Sequence, residues 1–128
     1  MKKGYIKIKD NISLVDKINA VNLIVSNYFI GGDYTPYYVE ISKSTAIVKF
    51  FIEGIEFEED EDIYACYMAD RDLYDLVQRF YNQYQDDSYF YIMDEVMSMV
   101  EDKVAFTKER LIHSSDALNT IAEFCDVI

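Results

Sequence analysis

Apolar residues recur every three or four positions along most of this chain, and this spacing constrains the fold more than any other feature of the sequence. Leu14, Ile18, Val21, Val25 and Tyr28 follow one another at intervals of four, three, four and three. Such intervals place side chains on one face of an α-helix, and that face needs another apolar surface to cover it. The pattern therefore predicts helices that pack against each other.

Four further helices are predicted over 35–54, 63–84, 88–112 and 114–128, where the same spacing returns between polar breaks. The second begins with Thr35-Pro36, because threonine caps a helix and proline suits the first helical position. Asp70-Arg71-Asp72 allows an interruption within the third.

The beginning of the chain differs from the rest. Residues 2–9 alternate lysine with apolar residues, and a period of two indicates a short strand or an extended arm. Ser13 and Asp16 have the spacing of a capping box, which starts the first helix. We therefore predict an extended basic arm over 1–12 and a single helical domain over 13–128. The expected fold class is all-α: a bundle of about five helices with a short extended or β N-terminal arm.

The charge and composition exclude several classes of protein. The 128 residues contain 24 Asp and Glu against 12 Lys and Arg, which gives a net charge of −12. Because 51% of the chain is hydrophobic and 16% is aromatic, a disordered acidic tail is excluded. Apolar runs are too short for a transmembrane helix, and no signal peptide is expected. Cys66 and Cys125 are interpreted as reduced thiols of a cytosolic protein, with a disulfide left open.

Residues suited to catalysis or metal binding are scarce. His113 is the one histidine, and its expected place in the last turn of a helix favours capping rather than catalysis. The two cysteines are far apart, and the acidic stretch lacks the alternation and central glycine of a calcium loop. We therefore predict a protein that is not an enzyme, with no catalytic residue, no cofactor and no metal site.

The charges are distributed unevenly, and this asymmetry predicts a contact between copies. A basic arm on one copy would bind an acidic belt on the next, and such head-to-tail contacts close into rings. The arm contributes Lys2, Lys3, Lys7 and Lys9. The belt contributes Glu56, Glu58, Glu59, Asp60, Glu61 and Asp62. Direct sequence-specific nucleic-acid binding is not expected, because it requires a basic face.

Twelve tyrosines exceed what one small core uses, and several of them fall on different helix faces. Tyrosine is enriched in protein interfaces because it combines a large apolar ring with a polar tip. We therefore expect protein–protein association, with a tyrosine-covered solvent face as the alternative. The interface candidates are Tyr37, Tyr38, Tyr64, Tyr67, Tyr74, Tyr81, Tyr84, Tyr89 and Tyr91.

Three short stretches resemble small virion proteins of tailed phages, particularly crAss-like phages. They are Ile24 to Phe29, then Gly-Asp-Tyr-Thr-Pro-Tyr over 32–37, then Phe50-Phe51-Ile52-Glu53-Gly54, within a similarity covering about residues 18–62. The resemblance implies a structural role in the head or the neck. Helix count and length also resemble those of adaptor proteins that form rings beneath the portal.

Two functions follow as expectations. The first is a non-enzymatic virion protein that forms a ring at the portal or head–tail connector, assembled in the host cytoplasm. Its partners would be itself, the portal and neighbouring virion proteins, with no membrane. The second is a small acidic DNA mimic that inhibits a host defence protein, as anti-CRISPR and anti-restriction proteins do. A regulatory domain of a mobile element is a third, weaker interpretation.

Overall fold

The computed structural model describes the backbone of residues 1–81 and 87–112 and the side chains of residues 1–81 and 91–110. This part of the chain contains five α-helices and two strands, with short 3₁₀ turns before the second helix. In chain order the elements are β1 Lys2–Ile8, α1 Leu14–Ser26, α2 Val39–Ala46, β2 Ile52–Glu56, α3 Ile63–Ala69, α4 Arg71–Tyr81 and α5 Asp87–Ile112. A π-helical turn, Ile47–Phe51, joins α2 directly to β2.

The prediction of a mostly helical fold with about five helices and a short β N-terminal arm is confirmed, whereas a purely all-α bundle is not, because the arm pairs with a second strand. The arm forms strand β1, and residues 52–56 pair with it as an antiparallel strand. The sequence pattern predicts a second helix that continues to Gly54. In the structure the helical conformation ends at Phe51, because Ile52 is already extended and Gly54 has a φ of +87°.

The β1–β2 sheet contains a shift in register that depends on Gly54. Lys3 lies opposite Ile55 and Lys7 opposite Glu53, so the pairing shifts between them. A Cβ atom at position 54 would lie 1.9 Å from the carbonyl oxygen of Tyr5. Glycine is therefore required at this position by both its positive φ and the close approach of β1.

The core lies between the helices and one face of the sheet. In β1 only Ile8 is buried, while Ile6 is partly buried and packs against the core. The helices α1, α4 and α5 and the π-helical turn contribute most of the remaining buried apolar side chains. The largest fully buried apolar residues are Phe51, Ile24, Ile47, Leu73, Val48, Val77, Val96 and Val100.

Helix α1 begins as predicted but faces the core differently. The Ser13 hydroxyl accepts the Asp16 N–H, and the Asp16 carboxylate accepts the Ser13 N–H, which confirms the capping box. The core face consists of Ala20, Val21, Ile24 and Val25. Leu14 and Ile18, predicted on that face, are 63% and 44% exposed, whereas Asp16 and Lys17 beside them pair with Lys9 and with Glu95 of α5.

The first helix ends at Ser26, five residues before the predicted stop at Gly31. The N–H groups of Asn27 and Tyr28 donate to the carbonyls of Ile24 and Val25, and this tighter bonding ends the α-helix. Gly31 and Gly32 have positive φ values in the loop that follows.

Thr35 stabilises this loop instead of capping the second helix as predicted. Its buried hydroxyl donates to the Asn27 carbonyl at 2.6 Å and accepts the Ile30 N–H at 3.3 Å. The helical turn after it has no side-chain cap. Thr35 therefore stabilises the loop in preference to α2.

The third predicted helix is interrupted at Asp70, as the sequence allowed, and forms α3 and α4. The Asp62 carboxylate accepts the Ala65 N–H at the start of α3, and the Asp70 carboxylate accepts the Leu73 N–H at the start of α4. Each helix thus begins at its own capping aspartate.

Helix α5 matches its predicted bounds closely and lies along α1, with Val96, Val100 and Val104 buried. The two helices run in the same direction, as shown by the pairing of Lys17 with Glu95 and of Asn22 with Lys103.

The predicted fifth helix over 114–128, together with His113 and Cys125, lies outside the described residues.

Candidate interaction surfaces

A cleft lined by tyrosines lies where α2, α3 and α4 meet, and it has a volume of about 370 Å³. The ring of Tyr67 lies between two others. Its centroid is 5.8 Å from that of Tyr64 and 5.3 Å from that of Tyr74, with the second pair stacked at 23°. The complete lining consists of Glu40, Ser44, Tyr64, Tyr67, Met68, Tyr74, Gln78 and Tyr81.

Hydroxyl groups gather in the buried part of this cleft. The Gln78 amide donates to the Tyr67 hydroxyl at 2.8 Å. The Tyr81 hydroxyl is buried. Burial raises the pKa of Tyr81 to about 12, and a hydrogen bond with Ser44 opposes part of the rise. Burial also raises the pKa of Tyr67, so both phenols are neutral at physiological pH.

The charge at the cleft comes from one carboxylate, which is paired with a neighbouring lysine. Among the described residues that line it, Glu40 alone carries a charge. Its exposed carboxylate lies 3.4 Å from Lys43, which is not part of the lining. The cleft therefore combines aromatic rings, neutral hydroxyls and one carboxylate.

The structure brings together four of the nine tyrosines predicted as interface candidates: Tyr64, Tyr67, Tyr74 and Tyr81. Of these four, Tyr67 is only 3% exposed and packs into the core.

The other candidate tyrosines do not join this cleft. Tyr37 and Tyr38 pack against each other with ring centroids 4.9 Å apart and are exposed. Tyr91 is exposed on α5, whereas Tyr84 and the side chain of Tyr89 lie outside the described residues. The number of tyrosines and their spread over helix faces singled out the four tyrosines of the cleft but did not indicate Glu40, Ser44, Met68 or Gln78. Only the packing of α2 against α3 and α4 reveals these residues.

Three of the four lysines of the basic arm form ion pairs within their own chain. Lys3 lies 2.8 Å from Asp70 and 3.6 Å from Asp72, which fixes β1 to the start of α4. Lys7 pairs with Asp10 and Glu53, and Lys9 pairs with Asp16. The Lys2 backbone lies opposite that of Glu56 in the sheet. A contact between this arm and a neighbouring copy would have to break these pairs.

The acidic belt is partly occupied as well. Glu61 accepts the N-terminal ammonium at 2.6 Å and the Glu58 N–H at 3.0 Å, while Asp62 caps α3. Glu58, Glu59 and Asp60 are exposed and form no ion pair within residues 1–81 and 91–110. The belt thus divides into two structural carboxylates, Glu61 and Asp62, a solvent-exposed acidic turn over 58–60, and Glu56, which is exposed at the end of β2.

An exposed apolar surface lies at one end of the α1–α5 pair. Leu14, Val15 and Ile18 are 63%, 64% and 44% exposed and lie within one turn of α1. Tyr91, 65% exposed, precedes Glu95 by one turn of α5 and so lies near the same end, because Glu95 pairs with Lys17. We call Leu14, Val15, Ile18 and Tyr91 the outer apolar surface.

Comparison with known proteins does not extend these observations. No protein family, no curated protein and no solved structure matches the chain significantly. Within the described residues, no group of three or more His, Cys, Asp or Glu side chains is arranged to hold a metal ion. None of the helices described has the length and apolar character required to cross a bilayer.

Proposed function

We propose that this protein is a non-enzymatic assembly protein that acts through protein–protein contacts. The observation that supports the proposal is the outer apolar surface, where three aliphatic side chains on one helical turn lie near an exposed tyrosine. Single exposed apolar residues are common, whereas a group of adjacent ones is typical of an interaction site. Burying these side chains against another protein would remove them from water.

The setting we propose is a ring at the portal or neck of a tailed-phage virion, as the resemblance over residues 18–62 suggests. A ring needs a contact between two different surfaces of the same protein. With three of the four arm lysines paired internally, we propose that the outer apolar surface contributes one side of that contact. Copies with a net charge of −12 repel each other, so salt should strengthen assembly by screening the repulsion.

Sedimentation velocity of the full chain at low and high salt tests this proposal. We expect a homo-oligomer that becomes more populated as salt increases, and a Leu14→Ser/Ile18→Ser variant that sediments as a monomer with an unchanged circular dichroism spectrum. Asn19→Ser, an exposed substitution on the same helix, is the matched control. An oligomer that the double variant leaves intact would contradict a role for this surface. An oligomer that salt dissociates would instead favour contacts between the basic arm and the acidic belt.

The setting is tested separately, on particles. A connector should co-purify with virions and be lost from them in the Leu14→Ser/Ile18→Ser variant. Absence of the wild-type protein from purified virions would contradict the proposed setting.

A DNA mimic is the second candidate, and the exposed carboxylates of Glu58, Glu59 and Asp60 favour it. Without ion-pair partners among the described residues, they present negative charge to solvent, as DNA phosphates do. A mimic would be monomeric or dimeric, and DNA would displace it from its target. If the protein is a mimic, replacing these three carboxylates with amides weakens its complex with the target. If the protein forms the ring proposed above, the same replacement leaves the ring intact.

A further inference from the structure

The tyrosine cleft presents an apolar surface on elements that the outer apolar surface does not use. It lies between α2, α3 and α4, whereas the outer apolar surface lies on α1 and α5. Its inner phenols are occupied within the chain, since the Gln78 amide donates to the Tyr67 hydroxyl and the Tyr81 hydroxyl is buried. The thioether of Met68 and the ring of Tyr74 are exposed in the lining. The cleft therefore suits an apolar occupant.

The first turn of α1 has a shape that a cleft can receive. Leu14 and Val15 are consecutive, so their side chains leave the helix about 100° apart. Both side chains are more than half exposed, and the exposed Ile18 lies one turn further along the helix. Because exposed apolar side chains cover this wide an arc, the end of α1 is convex rather than flat.

The size of the cleft matches the side chains at this helix end. Its volume is about 370 Å³. An apolar cavity of roughly 150 Å³ is large enough to hold a benzene molecule. The side chains of leucine and valine are each smaller than benzene. The cleft therefore has room for Leu14 and Val15 of another copy.

The charges around the two surfaces permit a second copy as the occupant. Copies with a net charge of −12 repel each other most where unpaired carboxylates meet. At the cleft, the carboxylate of Glu40 lies beside Lys43. The charges next to the outer apolar surface form the ion pairs Lys9–Asp16 and Lys17–Glu95. Joining these two surfaces therefore keeps the exposed carboxylates of the acidic turn out of the contact.

The two surfaces also meet the requirement of a ring, in which the two sides of each contact are different surfaces of the same chain. Building on the assembly role proposed above, we propose that the tyrosine cleft binds the outer apolar surface of a second copy. Leu14 and Val15 of one copy would lie against Met68 and Tyr74 of the next. Each copy would then take part in two such contacts, one through each surface.

Two variants, each defective in one side of the contact, test this proposal. Leu14→Ser/Ile18→Ser alters the outer apolar surface and keeps the cleft, whereas Met68→Glu places a carboxylate in the cleft and keeps the outer apolar surface. In sedimentation velocity at high salt, each variant alone should be monomeric at concentrations where the wild type assembles. The concentration at half assembly should rise about thirtyfold, as for the loss of an interface anchor.

Mixing the two variants gives the decisive measurement. An equimolar mixture should form a one-to-one heterodimer and no larger species, because each pair of unlike copies retains one complete contact. Native mass spectrometry identifies this composition, since the two variants differ in mass. Recovery of the heterodimer supports the proposal and also shows that both variants are folded.

Two further variants control for the added charge. Phe106→Glu is the matched control, because Phe106 is 58% exposed, compared with 55% for Met68, and belongs to neither surface. It should assemble like the wild type. Met68→Ser adds no charge and should weaken assembly about tenfold, because it removes an apolar side chain from the contact.

The outcomes distinguish this contact from the assembly role itself. An oligomer that persists in both Met68 variants would overturn the cleft contact and leave the assembly role intact. A mixture that stays monomeric although the wild type assembles would do the same. Dimers of each variant alone would also overturn the contact, because each surface would then bind its own counterpart. A wild-type protein that is monomeric at every concentration and salt would contradict both proposals.

Discussion

At the scale of single residues, Glu61 shows how one carboxylate can connect the start of β1, the turn after β2 and helix α3. It accepts the Glu58 N–H and the N-terminal ammonium, and the Cys66 thiol donates to it at 3.4 Å. The Glu58 N–H and then the ammonium lower the pKa of Glu61 to about 2. Burial, followed by the nearby Glu61, raises the pKa of the Cys66 thiol.

These contacts predict a stability that depends on pH. The pKa of Glu61 in the folded protein lies below its ordinary value of 4.5, so the stabilising contribution is complete above pH 4.5 and is lost as the pH falls towards about 2. Glu61→Gln should therefore lower the urea midpoint at pH 7, and its difference from wild type should shrink between pH 4.5 and 2. Glu59→Gln is the control. A difference that stays constant with pH would contradict this assignment.

At the scale of elements, Asp70 performs two tasks at the break between α3 and α4. Its Oδ1 accepts the Leu73 N–H at 3.0 Å, and its Oδ2 lies 2.8 Å from the Lys3 ammonium. The ammonium of Lys3, and then the Leu73 N–H, lower the pKa of the Asp70 carboxyl. One side chain thus starts α4 and fixes it against β1.

Two substitutions at this position separate the tasks. Asp70→Ala removes the cap and the ion pair and should cost about 1 kcal/mol or more, as lost helix caps do. Asp70→Asn keeps an oxygen that accepts the Leu73 N–H and should cost less, because the ion pair is partly exposed to solvent. Chemical denaturation of both variants measures the difference. Equal losses would indicate that the ion pair, rather than the cap, dominates.

Local patterns predicted where α1, α3 and α5 begin, but they missed strand β2 and both ends of the second helix. The capping box of Ser13 and Asp16 involves neighbouring residues, so the sequence contains all the information needed to place it. Strand β2 was missed because its partner β1 is more than forty residues away in the chain. The apolar residues of 47–52 suit a helix equally well, and only pairing with β1 decides the outcome.

At the scale of the whole molecule, the core depends on the junction between the π-helical turn and α4. Phe51 is fully buried, and its ring centroid lies 5.7 Å from that of Phe80. The helical spacing of Leu73, Val77 and Phe80 predicted one side of this junction. The other side depends on how α2 ends, which periodicity did not predict.

Phe51→Ala should cost about 3–5 kcal/mol of unfolding free energy, because it leaves a cavity in the core. Phe106→Ala, at a position that is 58% exposed, is the matched control and should cost far less. Urea denaturation followed by circular dichroism measures both. Similar losses for the two variants would mean that Phe51 is not part of the core.

The cleft also belongs to this scale. Tyrosine composition predicted that these residues have a purpose beyond the core, and four of them do lie together. The sequence could not show which four, because their meeting depends on the angle between α3 and α4 at Asp70 and on the packing of α2.

The direct passage from α2 through the π-helical turn into β2 restricts how this protein can change length. One residue inserted between Ala46 and Ile52 would rotate α2 by about 100° relative to the strand or reverse which face of β2 meets the core. Either change would move Ser44 away from Tyr81 or remove Ile52 from the core. Insertions and deletions should therefore accumulate in the loops at 27–35 and 57–61 and be excluded from 46–52.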